Sequence, residues 1–291
     1  MARAAFIGLG NMGRPMAAAL ARAGVETRGF DLDASLIEAA ARDGVLAAKS
    51  LRDAIEGADV AITMLQSGDQ TLAVWREIAP KSRGALLVDC STIDIESARA
   101  AHSLAKGSGA LSVDAPVSGG VAGARAATLT FMCGGEADAF AAAQPILEQM
   151  GAHVLHCGGA GMGQAAKICN NLMLGITMVA TSEAFVLAEK LGLSHRALFE
   201  ASSISSGQSW SLTSYCPVPE MVPASPANND YRPGFMTALM LKDLRLALEA
   251  ASRVGAASPL GAEATKLYAR HQGEGRGDTD FSSIINLIRA E

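Results

Sequence analysis

Lys167 and Asn171 are the residues whose types and spacing point most directly to chemistry. They stand four apart in an apolar segment expected to be helical, so they share one face. Desolvation in such surroundings lowers a lysine's pKa and suits it to exchange a proton near neutral pH. The competing reading is a lysine that snorkels to the surface. A second polar group is Ser118-Gly119-Gly120, which follows the apolar-polar run Asp114-Ala115-Pro116-Val117. A hydroxyl beside bare backbone N–H groups makes a nest for a carboxylate, or simply an ordinary glycine turn. A third segment runs from Phe235 to Leu244 and sets Lys242-Asp243 in an otherwise apolar stretch. Charge pairs on helices are usually surface features, but here a long loop precedes an apolar helix, which favours a buried role.

Other chemistries find less support. No G-x-S-x-G elbow is present for a Ser/His/Asp hydrolase. His153, His156 and Cys157 resemble metal ligands, yet alternation along a short strand explains their spacing, and no metal is expected. Trp210, just before the long loop, reads either as a wall over a substrate methyl group or as a core residue.

A phosphate-binding turn stands at the N-terminus. Gly8-Leu9-Gly10-Asn11-Met12-Gly13 fits G-x-G-x-x-G between an expected strand and an expected helix. Gly8 allows the tight turn, Gly10 lets a pyrophosphate approach the backbone, and Gly13 lets helix pack on strand. The motif alone is weak. Asp31 strengthens it, because it ends the second strand where a carboxylate can accept hydrogen bonds from ribose hydroxyls. That carboxylate would repel a 2′-phosphate, so NAD is expected over NADP, with Arg28 nearby as the counter-argument.

These groups need elements to position them. Ala4–Leu9, Thr27–Phe30, Val60–Met64, Leu86–Asp89 and Leu111–Asp114 read as buried strands, with helices over Met12–Ala23 and Ile95–Ala105 between them. That pattern is a parallel sheet covered on both faces. Leu129–Cys133 and His153–His156 continue it around a helix from Ala137 to Met150. Past the glycine cluster at 158–163 only helices are expected: Gln164–Lys190, His195–Ser202, Met236–Val254, Pro259–His271 and Phe281–Arg289. The fold class is therefore α/β, a Rossmann-type doubly wound sheet followed by an all-helical C-terminal domain. The expected domains are 1–162 for the cofactor and 163–291 for substrate and oligomerisation. Pro217–Pro233 is expected to be a long irregular loop, of a length that is usually functional or mobile.

Composition narrows the function classes. The 291 residues are 49% hydrophobic and 18% charged, which suits a well-buried globular chain. Twenty-four basic against 29 acidic residues, without long runs of either sign, give no surface for nucleic acid. The five cysteines are scattered and odd in number, so buried free thiols in a reducing compartment are expected. With the first strand beginning beside Met1, no leader peptide is expected and a cytoplasmic location follows. The apolar run Leu172–Leu187 is too polar to span a bilayer and reads as a buried helix. Alanine-rich apolar helices leave surface to hide, so a homo-oligomer is expected.

Taken together, the segments resemble the β-hydroxyacid dehydrogenase family, and within it the 3-hydroxyisobutyrate dehydrogenase branch. The resemblance rests on Phe6 through Gly13, Asp89-Cys90-Ser91-Thr92-Ile93, Asp114 through Gly120, Gly163 through Asn171, and Leu239 through Leu244. Tyr215-Cys216-Pro217-Val218-Pro219, Asn228 through Tyr231 and Asp280-Phe281-Ser282-Ser283 point to the branch. The resemblance implies a catalytic Lys167, with Ser118, Gly119, Gly120 and Asn171 holding substrate carboxylate and hydroxyl, and Trp210 and Asp243 beside them. It implies NAD contacts at Asn11, Met12, Met64, Leu65, Thr92, Phe235 and Lys242 as well as at the glycine turn and Asp31. The implied reaction is oxidation of (S)-3-hydroxyisobutyrate to methylmalonate semialdehyde, as in valine breakdown, by a homodimer or homotetramer. Rival expectations are another small β-hydroxy acid, such as glycerate from tartronate semialdehyde, and a non-catalytic dinucleotide-binding module. Similar 6-phosphogluconate dehydrogenases carry a glutamate where this chain has Leu174, and imine reductases usually replace the lysine. The chain departs from the family at Gln66, usually proline, and at Ala127, usually glycine.

Overall fold

The computed structural model describes residues 2–291. The chain forms two compact units, Met1–Lys167 and Ile168–Glu291, each with its own core. The expected boundary at 162/163 and the division between the units both fall within the first turns of one long helix.

The first unit begins with β1 (Arg3–Ile7), α1 (Gly13–Arg22), β2 (Glu26–Phe30), α2 (Ala34–Ala41), β3 (Leu46–Ala47), α3 (Leu51–Ile55), β4 (Val60–Thr63) and α4 (Gly68–Ile78). It continues through β5 (Leu86–Asp89), α5 (Ile95–Gly107), β6 (Leu111–Asp114), β7 (Val117–Ser118), α6 (Gly120–Ala126), β8 (Leu129–Gly134), α7 (Ala137–Leu147) and β9 (Gly151–Gly158). Six parallel strands stand in the order β3-β2-β1-β4-β5-β6. Beyond them β8 runs antiparallel to β6 and β7, while β9 pairs parallel with β8.

The central strands are buried on both faces because helices cover both. Phe6, Ile62 and Val88 pack on one side with Met16 and Leu20 of α1. Their chain neighbours Ile7, Ala61 and Leu87 point the other way, onto Trp75 and Ile78 of α4. Strand side chains alternate between faces, so a near-continuous apolar run is what a doubly covered sheet requires.

The expected strands and helices of this unit are present with small shifts at their ends, and α7 ends at Leu147 rather than Met150. β3, α2, α3, α4, β7 and α6 were not expected. Three of these helices carry readable caps: Asp33, Ser50 and Ser67 accept the backbone N–H groups of Ser35, Asp53 and Gln70 respectively.

The second unit is helical: α8 (Met162–Leu191), which starts in the first unit, then α9 (His195–Ser203), α10 (Trp210–Thr213), α11 (Thr237–Arg253), α12 (Pro259–His271) and α13 (Ile284–Arg289). Its core joins Met178 and Phe185 of α8 to Leu241 and Leu244 of α11, Tyr268 of α12 and Ile284 of α13. The segment 217–233 is irregular apart from a single 3-10 turn at Pro226–Asn229. The helix expected over Phe281–Arg289 opens as a 3-10 turn, Phe281–Ser283, capped by Asp280.

Two expectations of burial are corrected. α8 is buried along one side only: Met178 and Phe185 are enclosed, but Met173, Leu187 and Leu191 are 62%, 58% and 73% exposed. By length and composition it is the one helix among the described residues apolar enough to cross a membrane. The cysteines also divide. Cys90, Cys133 and Cys216 are buried free thiols, whereas Cys157 is partly buried and Cys169 exposed, on the outward side of α8.

Candidate active site

The glycine turn closes onto the neighbouring strands. Gly8 has φ +93°, and a Cβ there would lie 2.3 Å from the Met64 carbonyl oxygen. A Cβ on Gly13 would lie 1.8 Å from the Gly8 carbonyl oxygen, so helix α1 could not start where it does with any other residue. At Gly10 a Cβ would meet nothing within 4 Å. The turn therefore presents bare backbone toward open space, which fits the pyrophosphate of NAD.

Asp31 stands just past β2, and its Oδ2 accepts the Leu9 N–H at 2.7 Å. Its Oδ1 accepts the Asp33 N–H at 3.0 Å, so the carboxylate is fixed against the turn. Arg28, the argument for a 2′-phosphate, is engaged elsewhere: it lies 3.6 Å from Glu26 and donates to the Asp53 carbonyl. Asn11 is exposed, and Met12, Met64, Leu65 and Thr92 are half-buried around the same carboxyl ends of the strands, where open α/β sheets bind ligands.

Two buried carboxylates to which the sequence assigned no role support these loops. Asp89 ends β5, fully enclosed, and its Oδ1 accepts the hydroxyls of Thr63 at 2.7 Å and Ser91 at 2.6 Å. Its other oxygen is buried without a hydrogen-bond partner. Burial pushes its pKa up to about 6; the Ser91 and Thr63 hydrogen bonds oppose the shift, and the charge of Asp114 on the next strand adds to it. Asp114 ends β6 and accepts the N–H groups of Gly161 at 2.8 Å and Gln164 at 2.9 Å, while His102 Nε2 lies 2.8 Å from it. The signal was present in sequence, since LLVD and LSVD are apolar strands that each end on a carboxylate.

Ser118 closes the two-residue strand β7 and is half-buried. Gly119 and Gly120 follow with φ +129° and +62°, a backbone that L side chains rarely adopt. The bare N–H groups expected there are thus fixed in a special turn. Ala127, where the resemblance expects glycine, has φ +54° in the left-handed region, a conformation that glycine adopts without the penalty an alanine meets.

Lys167 is 6% exposed, so it does not snorkel. Asn171, one turn further along α8, is buried in the second unit. Its Nδ2 donates to Asp243 Oδ2 at 2.5 Å, and its Oδ1 accepts from Asn170 at 3.0 Å. Asp243 is 2% exposed, and the Lys242 ammonium stands 3.8 Å from its Oδ1. The Lys-Asp pair is therefore half inside the protein, its acid turned to the asparagine.

Elsewhere in the second unit Trp210 is 52% exposed and stacks on Tyr215 with ring centroids 4.9 Å apart, which removes the core reading. Tyr215 stacks on Phe281, and Phe235 meets Phe281 edge-on. Asp280 ties the group together: its Oδ2 accepts from Tyr215 Oη and from the Gly234 and Phe235 N–H groups, each within 3.0 Å.

Residues 3–159 match the family profile described as the NAD binding domain of 6-phosphogluconate dehydrogenase. Residues 161–288 match the one described as NAD-binding of NADP-dependent 3-hydroxyisobutyrate dehydrogenase. A 3-hydroxyisobutyrate dehydrogenase of Pseudomonas aeruginosa is 46% identical over 294 residues, covering 99% of this chain and 98% of that one. An NAD-dependent L-serine dehydrogenase of the same organism is 43% identical, with the same coverage. The solved structure of Mycobacterium tuberculosis 3-hydroxyisobutyrate dehydrogenase with L-serine superimposes with a TM-score of 0.95 at 48% identity, covering 99% of each chain.

Proposed function

Because the chain belongs to the β-hydroxyacid dehydrogenase family, we propose that it oxidises (S)-3-hydroxyisobutyrate to methylmalonate semialdehyde, a step of valine breakdown. It is an NAD-dependent oxidoreductase acting on CH–OH. The observation that carries the mechanism is the enclosed Lys167, one helical turn before an asparagine that Asp243 holds by its amide; the choice of acid is supported by the names of the similar enzymes.

When bound, NAD accepts the hydride that leaves the carbinol carbon. Lys167, in its neutral form, takes the hydroxyl proton as that hydride departs. In the reverse direction its ammonium stabilises the developing alkoxide and returns the proton. Asp243 accepts from Asn171 Nδ2 and so fixes which way the amide carbonyl points. Ser118 and the backbone N–H groups at Gly119 and Gly120 hold the substrate carboxylate. Gly8 and Gly10 would cradle the pyrophosphate, Gly13 lets α1 start against the turn, and Asp31 would accept from the ribose hydroxyls.

A second reading is L-serine, itself a small β-hydroxy acid. Its support is the named L-serine dehydrogenase at 43% identity and the presence of L-serine with the Mycobacterium tuberculosis enzyme. A panel of 3-hydroxyisobutyrate, L-serine and glycerate with NAD and NADP, followed by nicotinamide absorbance, separates them. The highest kcat/KM is expected on (S)-3-hydroxyisobutyrate with NAD. A higher value on serine or glycerate would transfer the assignment to that acid, and tight NAD binding without any turnover would leave only a binding module. The exposed apolar residues along α8, Met173, Leu187 and Leu191, favour a second copy of the chain as their cover.

A further inference from the structure

Gln164 is completely enclosed, and both polar atoms of its side chain are spent on one loop. Its Oε1 accepts the Ile93 N–H at 3.1 Å and its Nε2 donates to the Ser91 carbonyl at 2.7 Å, so the amide brackets Thr92. The same loop reaches back to the preceding strand, because the Ser91 hydroxyl accepts the Leu65 N–H at 2.7 Å and donates to Asp89. The backbone of Gln164 is fixed as well, by donation to Asp114 Oδ2.

The start of α8 has no freedom to slide in this arrangement. A Cβ on Gly163 would lie 2.3 Å from the Met132 carbonyl oxygen and 2.5 Å from that of Asp114. Three residues after Gln164, on the same helical face, comes Lys167. An apolar side chain would fill the Gln164 site without the cost of burying an amide. What the amide supplies instead is a defined register between two segments more than 70 residues apart in sequence.

We propose that Gln164 is a positioning residue that sets the Lys167 amine in register with the loop Ser91–Ile93, which carries the cofactor contact expected at Thr92. The proposal rests on the reading of Lys167 as proton acceptor. Small displacements of a reacting group cost large factors in rate, with roughly 100-fold for about 1 Å as a guide.

The test uses the full-length enzyme and two substitutions. Gln164→Met keeps the volume and removes both hydrogen bonds; kcat is expected to fall about 30-fold, and calorimetry should show the NAD Kd rising roughly fivefold. Gln164→Glu keeps the acceptor for Ile93 but sets a carboxylate oxygen against the Ser91 carbonyl. Protonation turns that oxygen into a donor, so the ratio of this variant's kcat to wild type should rise as pH falls from 9 to 6. A purely space-filling role predicts no such pH-dependent recovery. A Met variant within twofold of wild type in both kcat and NAD Kd, or a Glu variant whose ratio is flat with pH, overturns the positioning role. A wild-type enzyme inactive on every hydroxy acid overturns the proton-acceptor reading and this inference with it, whereas an active wild type with indifferent Gln164 variants overturns the positioning alone.

Discussion

Each unit ties its irregular chain with a buried aspartate, and the two knots differ in completeness. Asp280 in the helical unit has every lone-pair direction in use: three donors converge on Oδ2, and the N–H and hydroxyl of Ser282 fill Oδ1. Asp89 at the end of β5 has hydrogen bonds on one oxygen and none on the other. A fully paired carboxylate serves as a structural knot. A half-paired one, beside the loops of the candidate cofactor site, carries a cost in stability of the kind that clusters at working sites.

The comparison holds only if the strand-end region does chemistry while the Asp280 region does architecture. Lys167→Ala should therefore lower kcat by about 1,000-fold or more, with NAD binding and melting temperature nearly unchanged, since removing the proton acceptor raises the barrier by roughly 4 kcal/mol. Steady-state kinetics with calorimetry checks this, and a fully active variant would break the comparison at its root. Asp280→Ala should do the reverse. It strands the Gly234 and Phe235 N–H groups and the Tyr215 hydroxyl, costing about 3 kcal/mol in chemical denaturation.

Asp89 gives a test by pH. Its folded pKa of about 6 lies above the ordinary value of 3.8, so the ionised form is disfavoured in the folded protein. Stability from this group is complete below about pH 4 and is lost as pH rises through 6. Asp89→Asn, a neutral isostere, removes that loss. The variant should gain on wild type between pH 4 and pH 7 by an amount on the order of 3 kcal/mol at most, in paired denaturation curves; parallel curves would remove the strained-carboxylate argument. The smallest effect concerns Ala127, whose φ of +54° strains an alanine. Ala127→Gly relieves a left-handed penalty of about 1 kcal/mol and gives back part of it as unfolded-chain entropy, so a gain of roughly 0.5 kcal/mol is expected.

Local signals carried the fold a long way. The glycine turn, the five central strands and the helices of the second unit other than the one-turn α10 follow from period and punctuation. Helices α2 and α3 escaped although Asp33 and Ser50 marked their starts, because short helices offer few turns over which periodicity can be seen; α4, as long as α7, was marked by the cap Ser67. Lys167 and Asn171 were legible because a lysine is costly inside an apolar helix. The strand-ending Asp114 could be read, but its partnership with Gln164, and that of Gln164 with Ser91, could not, since these partners lie 50 and more than 70 residues apart and only pairing in the fold joins them. The outward side of α8 was misjudged for a related reason: a chain of small and apolar residues reads the same whether it is enclosed or left for a neighbour.

The uneven distribution of thiols equips the protein with its own attachment point. Burial holds the Cys90 thiol far up its scale, Cys133 up to about 12 and Cys216 up to about 11, and it raises Cys157 as well. Cys169 alone is exposed, two residues past Lys167 on the outer flank of the same helix. A maleimide dye at neutral pH will therefore label Cys169 first wherever no second copy covers this side of α8, placing a fluorescent reporter within a turn of Lys167 without a single engineered cysteine.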